Sequence, residues 1–261
     1  MRRKIFLFAV IFAFIVFPAE SAVRNAKDFY KSLSRRLGRD RQNYSYLTDR
    51  EFANFREVTT TGIGHNKLYR SSSPVKNWGN RNLIADKLAQ EAGVKTFINL
   101  ADSSTSIKEY PDFDASYYSK QNIICLNLST KFFTGKFRKT LARGIRFMIN
   151  NEPPYLIHCD LGKDRAGFVC ALIECLMGAS ANEVVSDFLI SFYNYFGIVP
   201  DSDPDSEYNF VADNEIRAFL AKAFGVKSIY NANLQECAEK YFIGLGLTVD
   251  EIESLRNKLK P

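Results

Sequence analysis

Residues 154–167 read PYLIHCDLGKDRAG, and the fold turns on how that stretch divides. YLIHC (155–159) is an apolar run set off by a Pro-Pro pair, the pattern of a short buried strand. From Phe168 to Met177 the chain is apolar almost all round, which predicts a buried helix closed by Gly178. Between the two lie a glycine, a lysine, two aspartates and an arginine. A strand that hands over to a helix through a short turn is the building unit of an α/β domain. Working outward, NRNLIADKLAQEA (80–92) carries helical spacing with Gly93 at its end, and VKTFINL (94–100) predicts a buried strand. NIICLNL (122–128) predicts another strand, beyond a polar loop. Phe137, Leu141, Ile145, Met148 and Ile149 mark one face of a helix that NNEPP (150–154) stops. SANE (180–183) and TVDE (248–251) are capping boxes for two later helices, the first running to about Phe196. The expectation is an α/β fold: a single domain with a central, mostly parallel sheet flanked by helices. No stretch after residue 50 is long and polar enough to demand a second domain.

The N-terminus is of a different kind. Arg2, Arg3 and Lys4 precede an uncharged apolar run from Ile5 to Phe17, and PAESA (18–22) supplies small residues for cleavage after Ser21. Thirteen residues of helix reach only about 20 Å, short of the ~30 Å hydrocarbon core. Residues 1–21 are therefore read as a signal peptide, with an uncleaved anchor as the alternative. The expected location is periplasmic or secreted, or membrane-anchored if the signal stays on. Residues 22–45 are rich in Arg and Lys and are read as a basic tether, suited also to an anionic membrane surface. Residues 46–261 form the folded domain. The 22 Phe and 13 Tyr predict an aromatic core, and an exported chain with a net charge of +6 but no recognition motif excludes nucleic acid as a partner. Five cysteines, at 125, 159, 170, 175 and 237, form neither a CxxC pair nor a zinc spacing, and only His65 and His158 could join them. No metal and no cofactor is expected. Cys170 and Cys175 lie five apart on one predicted helix, unsuited to a mutual disulfide. The odd count leaves at least one thiol free, with Cys159 the candidate.

The charged turn has its own chemistry. A helix N-terminus presents unpaired N–H groups and the positive end of its dipole, so the turn from Cys159 into the helix suits an anion. Such surroundings draw a cysteine pKa from about 8.5 towards ~4–7 and favour the nucleophilic thiolate. Arg165, six residues after Cys159, can curl its planar fork over the same anion, and bidentate donation suits phosphate. Gly162 permits the tight curl. A nucleophile at the base of a phosphate-shaped cup is the reading these residues share. A Walker A loop is excluded, because Ile157 stands where its first glycine would be and Asp164 where its Ser/Thr would be. His65, in TGIGHNK, is read as a surface loop residue.

HCDLGKDR (158–165) matches the H-C-x5-R signature, and with it the chain resembles the cysteine-dependent protein tyrosine and dual-specificity phosphatase superfamily. More narrowly it is similar to the bacterial branch whose loop reads HCxxGKDR. NFREV (54–58) and KLYRSSSP (67–74) resemble the N-terminal strands of that branch, and EVVSDFLISFYNYFG (183–197) resembles its helix after the catalytic one. The likeness spans roughly residues 50–200. It implies a phosphatase domain over 46–261, in which Cys159 attacks phosphorus and forms a phosphocysteine. Arg165 and the amides of Asp160, Leu161, Gly162, Lys163, Asp164 and Arg165 would hold the equatorial oxygens. His158 would orient the nucleophile's surroundings. Asp164 is the first choice for the proton donor and Asp102 the second, with Asp112 and Asp114 behind them. Lys163 would add positive charge at the rim. Relatives commonly place Ser or Thr after the arginine, where this chain has Ala166, which bears on the breakdown of phosphocysteine. The substrates implied are phosphorylated protein or phosphoinositide. The alternative is a phosphate-binding module with weak turnover that captures such ligands.

Overall fold

The computed structural model describes residues 26–36 and 47–261. The expected signal peptide (1–21) lies outside the described residues, as does most of the basic stretch. In chain order the elements are α1 (Ala26–Arg36), α2 (Asp49–Phe52), β1 (Arg56–Glu57), β2 (Leu68–Ser71), α3 (Arg81–Glu91), β3 (Thr96–Asn99) and β4 (Asn122–Cys125). There follow α4 (Gly135–Ile149), β5 (Tyr155–His158), α5 (Asp164–Met177), α6 (Ala181–Phe196), α7 (Glu207–Ala212), α8 (Ala218–Phe224), α9 (Leu234–Gly244) and α10 (Val249–Leu259). One sheet runs in the order β1-β2-β5-β3-β4, parallel throughout except for the antiparallel β1 edge.

The strand read from residue 155 is the centre of this sheet, paired with β2 on one side and β3 on the other. That position explains its unbroken apolar run, because a central parallel strand is covered on both faces. Tyr155 and Ile157 pack among residues of α4, α5, α6, α9 and α10. Leu156 packs on the opposite face with Ala85, Leu88 and Ala89 of α3, and His158 meets the Tyr118 ring on that side. The period of two thus sorts one strand between two cores.

The capping boxes at Ser180/Glu183 and Thr248/Glu251 form as the sequence indicated, and Gly178 closes α5 at φ 100°. A third box, Thr48/Glu51, opens α2. Residues 26–36, inside the stretch read as a tether, form α1. Phe29 and Leu33 are one helical turn apart and join the main core, Phe29 edge-on to Phe210 with ring centroids 4.6 Å apart. That part of the basic stretch is built into the domain. Among the described residues no helix is long and apolar enough to cross a membrane.

Candidate active site

Cys159 follows directly on β5 and is 2% exposed. The four peptide carbonyls after it face the body of the protein. Asp160 O accepts from the Ser73 amide (3.1 Å), Leu161 O from Asn54 and Tyr195, and Gly162 O and Lys163 O from Arg70. Because a trans peptide carries its C=O and the next N–H on opposite sides, the N–H groups of residues 161–164 face inward. Gly162 sits at φ +68°, and a Cβ there would lie 2.1 Å from Ser71 O, so the loop presses backbone against backbone. No side chain caps the start of α5, so its first N–H groups, which follow directly on the loop, have no capping partner. The result is a ring of donors around a cysteine.

Arg165 curls back as its spacing predicted. One nitrogen donates to Leu128 O at 2.9 Å and another pairs with Asp160. Asp160 also accepts from Lys76 Nζ at 2.5 Å. Burial works against the Asp160 carboxylate, but the two cations outweigh it and hold its pKa below the usual range. Asp160, expected only to lend its amide, is therefore also an ionic bridge between Lys76 and Arg165. Lys76 escaped the sequence reading because a lone lysine 83 residues before Cys159 carries no signal.

His158 is fully buried, with Nε2 3.4 Å from Tyr118 Oη and Nδ1 3.5 Å from its neighbour's carbonyl, Cys159 O. Burial pushes its pKa down to about 4, overriding the pull of the nearby Asp102 carboxylate, so the ring is neutral at ordinary pH. Asp102 lies just past β3, whose end is in register with that of β5. Its Oδ1 accepts from Tyr110 Oη (2.7 Å) and its Oδ2 from Asn99 Nδ2 (3.1 Å). Asp112 instead accepts from Asn82 Nδ2, on the α3 side of the sheet.

Asp164 and Lys163 form a different arrangement from the one expected. Lys163 pairs with Asp164 and lays its ammonium 4.4 Å from the centre of the Phe192 ring, so its charge is held against α6 rather than offered freely at the rim. Asp164 remains partly exposed. Nearby, in a π-helical turn between α7 and α8 (Asp213–Arg217), Glu215 faces the same pair. Burial raises the Glu215 pKa against the opposing effect of Lys163; a lone glutamate 50 residues after Arg165 carries no signal in the sequence. All five cysteines are free; Cys170 and Cys175 are buried in the core, and His65 lies on the surface, 3.7 Å from Glu57.

No curated protein matches the chain. Several solved structures resemble it distantly, two of which follow. The core catalytic domain of the PP-IP phosphatase SIW14 from S. cerevisiae, crystallised with citrate, is 18% identical, covers 60% of this chain and 96% of its own, and gives a TM-score of 0.36. TpbA of P. aeruginosa is 15% identical, covers 75% of this chain and 92% of its own, and gives a TM-score of 0.40. A family model described as "Tyrosine phosphatase family" matches residues 49–260, nearly all of the folded domain and the whole of the cup around Cys159. The chain belongs to the tyrosine phosphatase family of cysteine-based phosphatases.

Proposed function

We propose that the chain is an exported phosphatase that hydrolyses phosphate monoesters through a phosphocysteine on Cys159. The ester is that of phosphotyrosine and, beyond it, of phosphoserine, phosphothreonine or phosphoinositides. The observation that carries this reading is the loop itself: four carbonyls turned out, their partner N–H groups turned in, and Cys159 at the centre. Donors fixed in advance around the site of developing charge supply much of an enzyme's rate. The Cys159 thiolate attacks phosphorus as the P–O bond to the leaving group breaks. The leaving oxygen takes a proton from Asp164, with Asp102 as the second candidate. Arg165 exchanges the Asp160 carboxylate for two phosphoryl oxygens. Water then attacks the phosphocysteine, passes its proton to the same carboxylate, and returns the thiolate with inorganic phosphate. His158, neutral and buried, holds the start of the loop and exchanges no proton.

Cys159→Ser should abolish phosphate release from p-nitrophenyl phosphate, and quenched wild-type enzyme should carry one phosphoryl group on the Cys159 peptide by mass spectrometry. Full activity in Cys159→Ser would falsify the mechanism. A second reading, a binder with little turnover, is favoured by Ala166, which is fully buried and offers no hydroxyl. A stoichiometric burst with no steady state afterwards would select it. Export and a membrane-surface role for the basic N-terminal stretch belong to the same proposal. Sequencing the N-terminus of the mature protein, and sedimentation with anionic vesicles, test them.

A further inference from the structure

The chemistry of the cup explains why its N–H groups should face inward but not what keeps them there. Behind the loop lies a buried polar assembly drawn from three distant parts of the chain. Arg70 stands on β2 in register with Ile157 of β5 and is wholly buried. Its Nη2 donates to Gly162 O at 2.9 Å and to Lys163 O at 3.1 Å, while Nη1 pairs with Asp187 Oδ2 of α6 at 2.6 Å. Arg56 grips the same carboxylate through Oδ1 at 2.8 Å and also donates to Asn54 Oδ1 at 2.9 Å. Asn54 passes the constraint on, donating to Leu161 O at 3.0 Å, where Tyr195 Oη joins it at 2.7 Å.

The packing leaves room for this and little else. Gly167 faces the Arg70 guanidinium, and a Cβ there would lie 2.7 Å from Nη2. Burial works against the Asp187 carboxylate, but the two guanidiniums outweigh it and hold its pKa below the ordinary range. Turning Arg70 away would take from Asp187 Oδ2 its nearest cation and leave Arg56 alone to hold a buried carboxylate, so the other arm of the Arg70 fork stays aimed at the loop. A guanidinium fork can hold a carboxylate and two carbonyls at once, a geometry that an ammonium cannot reproduce.

We infer that Arg70, Asn54 and Tyr195, with Asp187 and Arg56 locking them, are positioning residues that turn the carbonyls of Leu161 and Gly162 outward, and support that of Lys163, and so aim the N–H groups of residues 162–164 at a tetrahedral oxyanion. The inference rests on the phosphatase reading for its rate effects, but its binding effects stand apart from turnover. Without these donors the carbonyls of Leu161 and Gly162 lose the partners that keep them out of the cup, and a carbonyl pointing inward repels an anion.

The test measures tungstate, a phosphate-shaped oxyanion that needs no turnover, by titration calorimetry on the full chain, alongside p-nitrophenyl phosphate hydrolysis. Tyr195→Phe removes one hydroxyl and keeps the buried ring. It is expected to weaken tungstate binding about threefold to tenfold, with kcat falling by a similar factor and the circular dichroism spectrum unchanged. Arg70→Lys keeps the charge and loses the fork, and is expected to weaken binding roughly 10- to 100-fold. If Arg70→Lys does not fold, Tyr195→Phe and Asn54→Ser carry the test. Wild-type turnover with undiminished tungstate affinity in these two variants overturns the inference alone. Tungstate binding by a wild-type chain that releases no phosphate overturns the catalytic reading and leaves the inference standing where the variants bind more weakly. A wild-type chain that binds no tungstate overturns both.

Discussion

His158→Gln should make the protein less sensitive to acid, and by an amount that the burial of the ring sets. The folded protein holds His158 near a pKa of about 4, against 6.5 for the unexposed-to-charge reference ring in water. Below pH 6.5 the unfolded chain takes up a proton that the folded one refuses, so this residue's contribution to stability is complete above 6.5 and is lost as pH falls towards 4. Between pH 7 and pH 5 the loss is about 2 kcal/mol. Glu174 and Glu215, whose pKa values burial raises, change stability in the opposite sense as pH falls, so the raw pH profile mixes signs. The difference between wild type and His158→Gln removes them. Glutamine keeps a polar group within reach of Tyr118 Oη and cannot titrate. Urea unfolding at both pH values, followed by circular dichroism, should show wild type losing about 2 kcal/mol more than the variant, a midpoint shift on the order of 1 M. Parallel losses in the two proteins, within about 0.3 kcal/mol, would refute the assignment of a neutral, proton-refusing imidazole beside Cys159.

Gly162→Ala places a methyl 2.1 Å from Ser71 O at φ +68°, and the left-handed backbone alone costs about 1–2 kcal/mol. Calorimetry should find tungstate binding abolished with a lowered melting temperature; retained binding would count against the loop geometry. Glu174 is fully buried in α5 and neither carboxyl oxygen has a partner, so Glu174→Met should raise stability by about 1–3 kcal/mol. A fall in melting temperature would show that the carboxyl has a use in the fold. Asp164→Asn should slow an alkyl phosphate, whose leaving oxygen needs a proton, by about 100-fold or more while sparing p-nitrophenyl phosphate. If Asp102→Asn shows that leaving-group dependence instead, the role passes to Asp102.

Much of this was legible in the sequence because it depends on local order. The buried strand, the charged turn and the apolar helix after it are one continuous stretch, and Cys159, Gly162 and Arg165 take their places from spacing alone. The capping boxes at Ser180 and Thr248 are equally local. What was hidden depends on pairing across the sheet. β1 has two residues and β2 four, too short for alternation to show; the family likeness of NFREV and KLYRSSSP marked both stretches as strands, but not that β2 delivers Arg70 to the loop. Lys163 reads from sequence as a free cation beside the site, and only the packing of α6 shows that Phe192 and Asp164 hold it. Likewise, Phe29 and Leu33 are two apolar residues in a basic stretch until Phe210, some 180 residues later, gives them a surface to cover.

The partners of the loop are remote along the chain as well as behind it. Leu161 O is held from 107 residues upstream by Asn54 and from 34 downstream by Tyr195, Gly162 O from 92 upstream by Arg70, and Arg165 rests on a carbonyl 37 residues before it. Contacts of such separation form only once distant parts of the domain have come together, which places the cup late in folding. While the chain is being synthesised, the loop and the cysteine emerge before Tyr195 exists to hold them. A nascent or unfolded chain therefore carries the HCDLGKDR segment as ordinary flexible peptide. Oxyanion recognition appears only with the folded domain, and a fragment ending before α6 would lack it altogether.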